Sequence, residues 1–322
     1  MSLSDFLSIR DLSVDEIKRL LDLACQVKAN PAACASALKG KTLAMIFEKP
    51  SLRTRVSFDV GMEQLGGHAL YLSPDEIRLG RRESVHDVAK NLERMVQAIM
   101  IRTFAHEIVV EMAEHAAIPV INGLTDFSHP CQALADYLTM LEVKGRVAGL
   151  KVGFVGDGNN VAHSLMFAGA LLGAHVRVAT PPGYEPNRDA LLWAIRHSIG
   201  TGGSCIVGND PVQAVTDADV VYTDVWASMG QEAEAEKRRR NFAPYQVNAA
   251  LFARAKPNAI FMHCLPAHRS EEVTAEVIDS PRSVVFQQAE NRLHVQKAIL
   301  LELLAKEVTE AQQVVRHELM PL

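Results

Sequence analysis

Short apolar runs rich in β-branched residues alternate along most of the chain with longer segments in which apolar residues recur every three to four positions. The short runs predict β-strands and the longer segments predict helices. The predicted strands are 42–47, 69–72, 98–101, 152–155, 175–179, 220–223, 259–262 and 284–286. The predicted helices are 14–27, 56–65, 84–95, 130–141, 162–172 and 293–313. This alternation indicates an α/β fold with parallel sheets.

The length of the chain predicts two domains. A typical domain has about 100 to 200 residues, and this chain has 322. The polar, glycine-containing segment 143–150 comes directly before a new strand and is the best candidate boundary. We therefore expect two doubly wound domains, 1–145 and 146–291, with a last long helix that could pack on either half.

Composition and charge exclude several classes of protein. Hydrophobic residues make up 48% of the chain and charged residues 22%, which is typical of a folded globular protein. The formal net charge of −5 provides no general attraction for nucleic acid or an anionic membrane, so an anionic ligand requires a local site. No long apolar run and no basic-then-apolar leader is visible. Five scattered cysteines without a Cys-x-x-Cys pair favour reduced thiols. We expect a cytoplasmic protein without nucleic-acid or membrane partners.

The segment 47–58 is the strongest candidate for an anion site. A predicted strand ends there and a helix begins, with Ser51 as a plausible N-cap. Arg53 and Arg55 then lie in the first helical turn, where the helix dipole disfavours cations. A bound phosphate, held by the arginines, the Ser51 and Thr54 hydroxyls and free backbone N–H groups, would explain this placement. Structural ion pairs with carboxylates are the alternative.

Polar side chains follow two further predicted elements of the first half. Arg102 comes directly after a strand, and His129 and Gln132 surround Pro130, a residue suited to the first turn of a helix. Open α/β sheets bind ligands beyond the carboxyl ends of their strands, which favours a functional role. A surface ion pair for the arginine and a capping or packing role for the histidine are the alternatives.

The second half offers a glycine-containing loop and a carboxylate. Gly156 and Gly158 follow a strand, but Val161 stands where a dinucleotide fingerprint requires a third glycine. Asn159 and Asn160 offer amide groups to a zwitterionic ligand instead. Asp224, after another strand, could bind an ammonium group or could equally cap its loop.

Cys264 and its neighbours allow several interpretations. Zinc binding by His263, Cys264 and His268 is disfavoured, because neighbouring strand residues point to opposite faces. A nucleophilic Cys264 with a histidine partner stays open. Arg292 begins the last predicted helix as Arg53 begins an earlier one. The charged run 232–240 is interpreted as a solvated helix with ion pairs four residues apart.

Taken together and in this order, the motifs resemble those of the aspartate/ornithine carbamoyltransferase family. They are Ser51-Leu-Arg-Thr-Arg55, Arg102-Thr103, His129-Pro-Cys-Gln132, Gly156-Asp-Gly-Asn-Asn160, Asp224 with Ser228-Met-Gly230, His263-Cys-Leu-Pro266 and Glu290-Asn-Arg292. The last part of this pattern, Asp224 with Ser-Met-Gly and His-Cys-Leu-Pro, is similar to the ornithine branch. The resemblance implies transfer of the carbamoyl group of carbamoyl phosphate to the δ-amine of L-ornithine, giving L-citrulline and phosphate, as in arginine biosynthesis.

The resemblance also implies which residues form the site, in a cleft between the two domains. Carbamoyl phosphate would be held by Ser51, Leu52, Arg53, Thr54, Arg78, Arg102, His129, Gln132, Cys264, Leu265 and Arg292. Ornithine would be held by Asn160, Asp224, Ser228 and Met229, and the catalytic groups would be Arg102, His129, Cys264 and Asp224. No cofactor or metal is implied. The helix 292–322 would return to the first domain, and the chain would form a homotrimer or an assembly of trimers.

Two residues depart from the family pattern, and three other functions stay open. Leu52 replaces a frequent Thr, and Arg78 replaces a Gln that reaches a neighbouring subunit in many members. The alternatives are a carbamoyltransferase acting on an acylated ornithine or a diamine, a dinucleotide-dependent oxidoreductase, and a binding protein without catalysis. The missing third glycine argues against the oxidoreductase.

Overall fold

The protein is built on two separate, entirely parallel sheets, seen in a computed structural model that describes residues 3–77, 79–80, 82–227 and 232–305. In the first sheet the strand order is β2-β1-β3-β4, and in the second it is β7-β6-β5-β8-β9. The strands are β1 Thr42–Phe47, β2 His68–Leu72, β3 Ala98–Arg102, β4 Val120–Leu124, β5 Lys151–Val155, β6 His175–Ala179, β7 Ser204–Gly208, β8 Val220–Thr223 and β9 Ile260–His263. The predicted class, two parallel α/β sheets, is confirmed.

Helices connect the strands and cover both faces of each sheet, as parallel connections require. They are α1 Val14–Ala29, α2 Leu52–Gln64, α3 Pro74–Ile77, α4 Val85–Leu92, α5 His106–His115, α6 Pro130–Lys144, α7 Asn160–Leu172, α8 Arg188–Thr201, α9 Pro211–Val215, α10 Ala235–Phe242, α11 Ala249–Phe252, α12 Ala275–Ile278 and α13 Val285–Leu304. None of the helices in the described ranges has the length and apolar character that crossing a membrane requires.

Local signals in the sequence set several of these boundaries. Ser13 and Glu16 form a reciprocal capping box at the start of α1, and the Ser51 hydroxyl accepts from the Thr54 N–H at the start of α2. Helix α6 begins with Pro130 and ends before Gly145, whose φ of +70° suits the left-handed C-terminal position. Ser51 and Pro130 thus start α2 and α6 shortly after the strands β1 and β4.

The structure corrects two predicted elements and contains others that the pattern did not predict. The predicted strand 284–286 is wrong, because Ser283 forms one isolated bridge to Phe261 and α13 then starts at 285. The last helix therefore begins seven residues before the predicted 292, and residues 306–322 lie outside the described part. The pattern does not predict strands β4 and β7. In β4, Gly123 interrupts the run of apolar residues; glycine suits this position, because a Cβ there would lie 2.5 Å from the Met100 sulfur.

Each sheet has a switch point where the strand order reverses. In the first sheet it lies between β1 and β3, where Phe47 is paired with Arg102. In the second it lies between β5 and β8, where Val155 is paired with Thr223. Ligands of open α/β sheets bind in the crevices beyond such points. The fold therefore presents one crevice with Arg102 at its edge and another with Asp224 at its edge.

The largest apolar core continues from one sheet to the other. It contains Phe47 of β1 and Phe154 of β5 and draws on α1, α6, α7 and α13, whereas two smaller cores cover the outer faces of the sheets. Helix α13 packs against α1, α2 and α6 and also contacts β9. Helices α6 and α13 therefore bridge the two sheets.

The contact between α6 and α7 depends on a glycine, which yields a stability prediction. A Cβ at Gly169 of α7 would lie 2.5 Å from both the Tyr137 hydroxyl and Val176 Cγ2. Because Tyr137 is fully buried and donates to the Leu165 carbonyl, it has little room to move. We expect Gly169→Ala to lower the free energy of unfolding by about 1–3 kcal/mol through overpacking, measured as a lower melting temperature.

The matched control is Gly200→Ala in α8, where a Cβ would meet nothing within 4 Å. Alanine there should stabilise the helix by about 0.5–1 kcal/mol, because it restricts the unfolded chain. Equal melting temperatures of the two variants would contradict the tight packing of α6 on α7.

Candidate active site

The N-terminus of α2 lies beyond the carboxyl end of β1 and presents two arginines with different environments. The Arg55 guanidinium lies 3.9 Å from the centroid of the Tyr71 ring, so it has a structural partner. Arg53 forms no salt bridge with a described carboxylate. Burial lowers its pKa, while Cys264 and Asp224 from the second sheet act in the opposite direction. Only one of the two arginines therefore remains available to an anion.

Two further arginines converge on the same place from β3 and α13. Arg102 and Arg292 are 5% and 2% exposed, and the Nε atom of each is buried without a hydrogen-bond partner among the described residues. Burial, followed by repulsion from Arg292 and Arg53, lowers the pKa of Arg102 to about 10. Three mutually repelling guanidinium groups without a described carboxylate partner form a site for a multiply charged anion.

His129 joins this group in its neutral form. It precedes Pro130 at the start of α6, its Nδ1 atom is buried without a described partner, and its backbone N–H donates to Ser164 Oγ at 2.8 Å. Burial, and then the charges of Arg292, Arg102 and Arg53, lower the pKa of this imidazole well below its usual value. At pH 7 the ring therefore carries one N–H that can donate to a neutral or anionic oxygen.

Arg292 is held in place by two side chains from the first half of the chain. Its Nη1 donates to Gln132 Oε1 at 2.8 Å, and its Nη2 donates to Thr54 Oγ1 at 3.1 Å. The Thr54 hydroxyl accepts this bond, so its own hydrogen is free to donate elsewhere. The structure thus brings Thr54, Gln132 and Arg292 together from α2, α6 and α13.

The second sheet contributes a carboxylate and a thiol directly opposite. Asp224 follows β8; its two oxygens accept from Asn159 Nδ2 at 2.9 Å and from the Cys264 thiol at 3.0 Å. Burial, and then the neighbouring Asp224 charge, raise the pKa of Cys264 well above its usual value. The thiol is therefore protonated and donating, which disfavours the nucleophilic interpretation of Cys264.

Asn160 connects the two halves at the mouth of this site. Its side-chain amide donates to the backbone carbonyl of Thr125, which follows β4 of the first sheet. Asn159, one residue earlier, caps α7 through Oδ1 and holds Asp224 through Nδ2. The two asparagines thus have separate tasks, one within the second domain and one across the cleft.

The loop after β9 is fixed by a buried histidine. The His263 Nε2 atom lies 3.2 Å from Glu272 Oε1, and its Nδ1 accepts from the Leu265 N–H at 2.9 Å. Contrary to the strand-alternation argument, ligand atoms of His263, Cys264 and Asp224 do converge within 4.8 Å, because β9 ends at His263. Both ring nitrogens of His263 are already engaged, however, so this histidine is not available to a metal.

The glycine-containing loop is closed off by its own neighbours. A Cβ at Gly158 would lie 2.2 Å from the Pro186 nitrogen, and Asp157 forms a buried ion pair with Arg238 at 2.8 Å. Arg238 also donates to the Trp226 carbonyl and pairs with Glu234. The predicted pair four residues apart is confirmed at Glu234, but the interpretation of this helix as solvated is wrong at Arg238. The groups that fill the space around this loop argue against a dinucleotide site there.

Three candidate residues, Arg78, Ser228 and Met229, lie outside the described residues. Leu52 is described and has a side chain that is 74% exposed at the first position of α2, so only its backbone N–H is suited to an anion. Asn159, predicted to offer its amide to a ligand, instead holds Asp224. The sequence did not predict Asp136, Tyr222 or Gln288 as residues of this site. The Gln132–Asp136 spacing of one helical turn was a usable signal for Asp136.

The fold and the site define a two-domain α/β protein in which an arginine-rich crevice faces a carboxylate, an arrangement suited to a multiply charged anion. The carbamoyl-phosphate binding domain of the aspartate/ornithine carbamoyltransferases matches residues 4–142, and the aspartate/ornithine binding domain matches residues 148–303. The chain belongs to the aspartate/ornithine carbamoyltransferase family.

Individual relatives agree with this assignment over nearly the full length. The ornithine carbamoyltransferase of Thermococcus kodakarensis is 59% identical over 298 residues, which cover 92% of this chain and 95% of the relative. The solved ornithine carbamoyltransferase from Pyrococcus furiosus is 57% identical with a TM-score of 0.92, covering 95% and 99% of the two chains. A solved acetylornithine transcarbamylase, complexed with acetylcitrulline, is 33% identical with a TM-score of 0.85, covering 94% and 99%.

The uncompensated arginines lead to a prediction on stability and anion binding. Replacing Arg102 by Met removes a buried charge that Arg53 and Arg292 repel, so we expect the free energy of unfolding of the free protein to rise by about 1–3 kcal/mol. Inorganic phosphate should stabilise wild type by binding the folded state, and this phosphate-induced rise in melting temperature should be smaller in Arg102→Met, because one of the three charges that attract the anion is lost. Both effects are measured by thermal denaturation with and without phosphate.

Arg55→Met is the control, because Arg55 lies at the same helix end as Arg53 but its guanidinium stacks on the Tyr71 ring. This variant should keep the full phosphate-induced rise. If Arg102→Met keeps it as well, the three arginines are not the phosphate site.

Proposed function

We propose that this protein is an ornithine carbamoyltransferase, which transfers the carbamoyl group of carbamoyl phosphate to the δ-amine of L-ornithine and releases L-citrulline and phosphate. The observation that carries the proposal is the arrangement of Arg53, Arg102 and Arg292 opposite Asp224, an anion site facing an ammonium site. The relatives named ornithine carbamoyltransferase support the choice of ornithine. One of them, from Pyrococcus furiosus, is named anabolic, which supports a role in arginine biosynthesis.

The phosphate of carbamoyl phosphate is held at the start of α2. Ser51, Thr54 and Arg53 provide side-chain donors there, and the Leu52 N–H is one of the unpaired amides at a positive helix end. Arg102 and His129 face the carbamoyl oxygen, and Arg292, Gln132 and the Cys264–Leu265 loop complete the site. Arg78 is also proposed to contact phosphate, from a neighbouring subunit.

Ornithine is held by the second domain. Asp224 accepts from an ammonium group, the protonated Cys264 keeps Asp224 oriented, and Asn160 is the amide partner at the entrance. Ser228 and Met229 complete the ornithine site in this proposal. The division of the chain is 1–145 for carbamoyl phosphate and 146–291 for ornithine, with the last helix returning to the first domain.

The reaction needs alignment and charge stabilisation rather than an enzyme nucleophile. The neutral δ-amine attacks the carbamoyl carbon, the carbonyl electrons move to oxygen, and the tetrahedral intermediate collapses with loss of phosphate and of the amine proton. Arg102, the His129 N–H and the Thr54 hydroxyl stabilise the developing oxyanion. Arg53 and Arg292 stabilise the leaving phosphate, whose negative charge grows as the bond to carbon breaks. Among the protein groups, Arg102 and His129 touch the reacting carbonyl, and Cys264 and Asp224 act on the amine side.

A homotrimer in the cytoplasm is part of the proposal. Leu52 and Val56 lie one turn apart on α2 and are 74% and 49% exposed, and Leu70 on the edge strand β2 is 42% exposed. Exposed apolar side chains on a helix end next to a ligand site are suited to contact with another subunit. Three chains of 35.3 kDa would give a mass of about 106 kDa, which sedimentation equilibrium measures.

A substrate panel tests the function directly. With carbamoyl phosphate as donor, L-ornithine should give citrulline at least about a hundredfold more efficiently than N-acetyl-L-ornithine, putrescine or L-aspartate. A missing or acylated ammonium group leaves buried polar partners unsatisfied, which typically costs orders of magnitude in kcat/KM. The measurement is kcat/KM by colorimetric ureido detection. Faster turnover of acetylornithine or the diamine would replace the proposal by that alternative.

The state of the attacking amine gives a pH prediction. A primary alkylammonium has a pKa of about 10.4, which is about 3.4 pH units above pH 7. Forming the neutral amine at pH 7 therefore costs about 4.6 kcal/mol. We expect kcat/KM for ornithine to rise from pH 6 to about 8 with a logarithmic slope near one. Cys264→Ser should keep this slope, because serine can also donate to Asp224. A flat profile, or a trapped carbamoyl adduct on Cys264, would contradict direct attack by the amine.

A further inference from the structure

A buried carboxyl group lies directly behind the residues that hold Arg292. Asp136 is 1% exposed and lies one helical turn after Gln132 on α6. Its Oδ1 accepts from Gln132 Nε2 at 2.8 Å and from Gln288 Nε2 at 2.7 Å, and its Oδ2 accepts from the Tyr222 hydroxyl at 3.1 Å. No part of the reaction described above uses this residue.

The hydrogen-bonding capacities of these groups allow one orientation of the Gln132 amide. Arg292 can only donate, so it requires the amide oxygen, and Asp136 Oδ1 accepts, so it requires the amide nitrogen. Reversing the amide would set donor against donor on one side and acceptor against acceptor on the other. Asp136 and Arg292 therefore fix Gln132 from both ends.

We propose that Asp136 is a positioning residue of this site: its buried carboxyl group anchors the Gln132 amide that holds Arg292, and so prepares the site for the phosphate-bearing substrate. The inference rests on the proposed function and deepens it. Arg292 has the Nη2 bond to Thr54 and the Nη1 bond to Gln132, and its Nε has no described partner. Without the anchor, one of its two holding bonds depends on an amide that is free to rotate.

The anchor works through an acceptor atom and does not require a negative charge. When Asp136 is protonated on Oδ2, its bond to Tyr222 reverses: Oδ2 donates to the Tyr222 oxygen, the Tyr222 hydroxyl no longer donates to Asp136, and Oδ1 still accepts. Asparagine can do the same, with its amide nitrogen toward Tyr222 and its oxygen toward Gln132. Leucine has a similar size but offers no acceptor. The pair Asp136→Asn and Asp136→Leu therefore separates the acceptor function from the volume of the side chain.

Hydrogen bonds made by Gln288 to the second domain remain when this anchor is lost. Gln288 Nε2 also donates to the Tyr222 hydroxyl at 3.0 Å, and Gln288 Oε1 accepts from the His263 N–H at 2.9 Å. These bonds keep β8, β9 and α13 connected when Asp136 is replaced. We therefore expect effects on binding of carbamoyl phosphate and not on binding of ornithine.

The experiment measures the dissociation constants of carbamoyl phosphate and of inorganic phosphate by calorimetry, together with KM for ornithine and the melting temperature. Asp136→Leu should weaken binding of both anions at least about tenfold, the usual effect of losing one hydrogen bond in a charged network. Asp136→Asn should stay within about threefold of wild type, and KM for ornithine should change less than threefold in both variants.

Thr139→Val is the matched control on the same helix. Thr139 is fully buried one turn further on and accepts from Asn291, which keeps a second bond to Glu142. Its replacement should lower the melting temperature without changing anion binding. A purely structural role for Asp136 would make Asp136→Leu behave like Thr139→Val, and that result would overturn the proposal.

The Asn variant keeps the proposal testable if Asp136→Leu does not fold. A tenfold or greater loss of anion binding in Asp136→Asn would overturn the acceptor role, whereas wild-type binding supports it. A wild-type protein that binds carbamoyl phosphate and forms no citrulline would refute the proposed function only. The two failures are therefore distinguishable.

Discussion

The protein holds three guanidinium groups close together in a place largely removed from water and gives them no carboxylate partner among the described residues. Such an arrangement opposes folding, because buried charges of like sign repel and lack hydration. It persists because the groups sit on separate, well-anchored elements: Arg53 on α2, Arg102 on β3 and Arg292 on α13. Burial, and then the same positive field, lower the pKa of His129 well below its usual value and keep the ring neutral. The site is complete only when an anion supplies the missing charge.

The opposite wall of the cleft follows a different rule, in which Asp224, Cys264 and His263 already have hydrogen-bond partners. Asp224 accepts from Asn159 and Cys264, and His263 is engaged at both ring nitrogens. The position of the Asp224 carboxylate is therefore set in advance, which reduces the reorganisation that binding of a ligand would require. The arginine-bearing wall of the cleft therefore carries uncompensated positive charge, whereas the groups around Asp224 on the other wall are hydrogen-bonded.

Periodicity and turn signals predicted the fold well because most strands are short apolar runs between glycines and polar residues. The strand prediction failed at 284–286, where the bridge between Ser283 and Phe261 depends on a distant strand. It also failed at β4, where Gly123 interrupts the apolar run and lies close to Met100. The candidate site residues came from chemistry at strand ends and from the family pattern, which locate Arg102, His129 and Asp224. Asp136, Tyr222 and Gln288 were not assigned, since their meeting requires the relative positions of α6, β8 and α13, which no local pattern contains.

The continuous core that links Phe47 with Phe154 limits how this architecture can diversify. Recombination that replaced only the second half of the gene would join two surfaces that had never been selected to pack, and would separate α13 from the helices it covers. Changes of acceptor specificity in such a protein are therefore accessible through point substitutions and loop changes near Asp224, rather than through exchange of a whole domain. The apolar core shared by the two halves, more than the active site, therefore favours their inheritance as one unit.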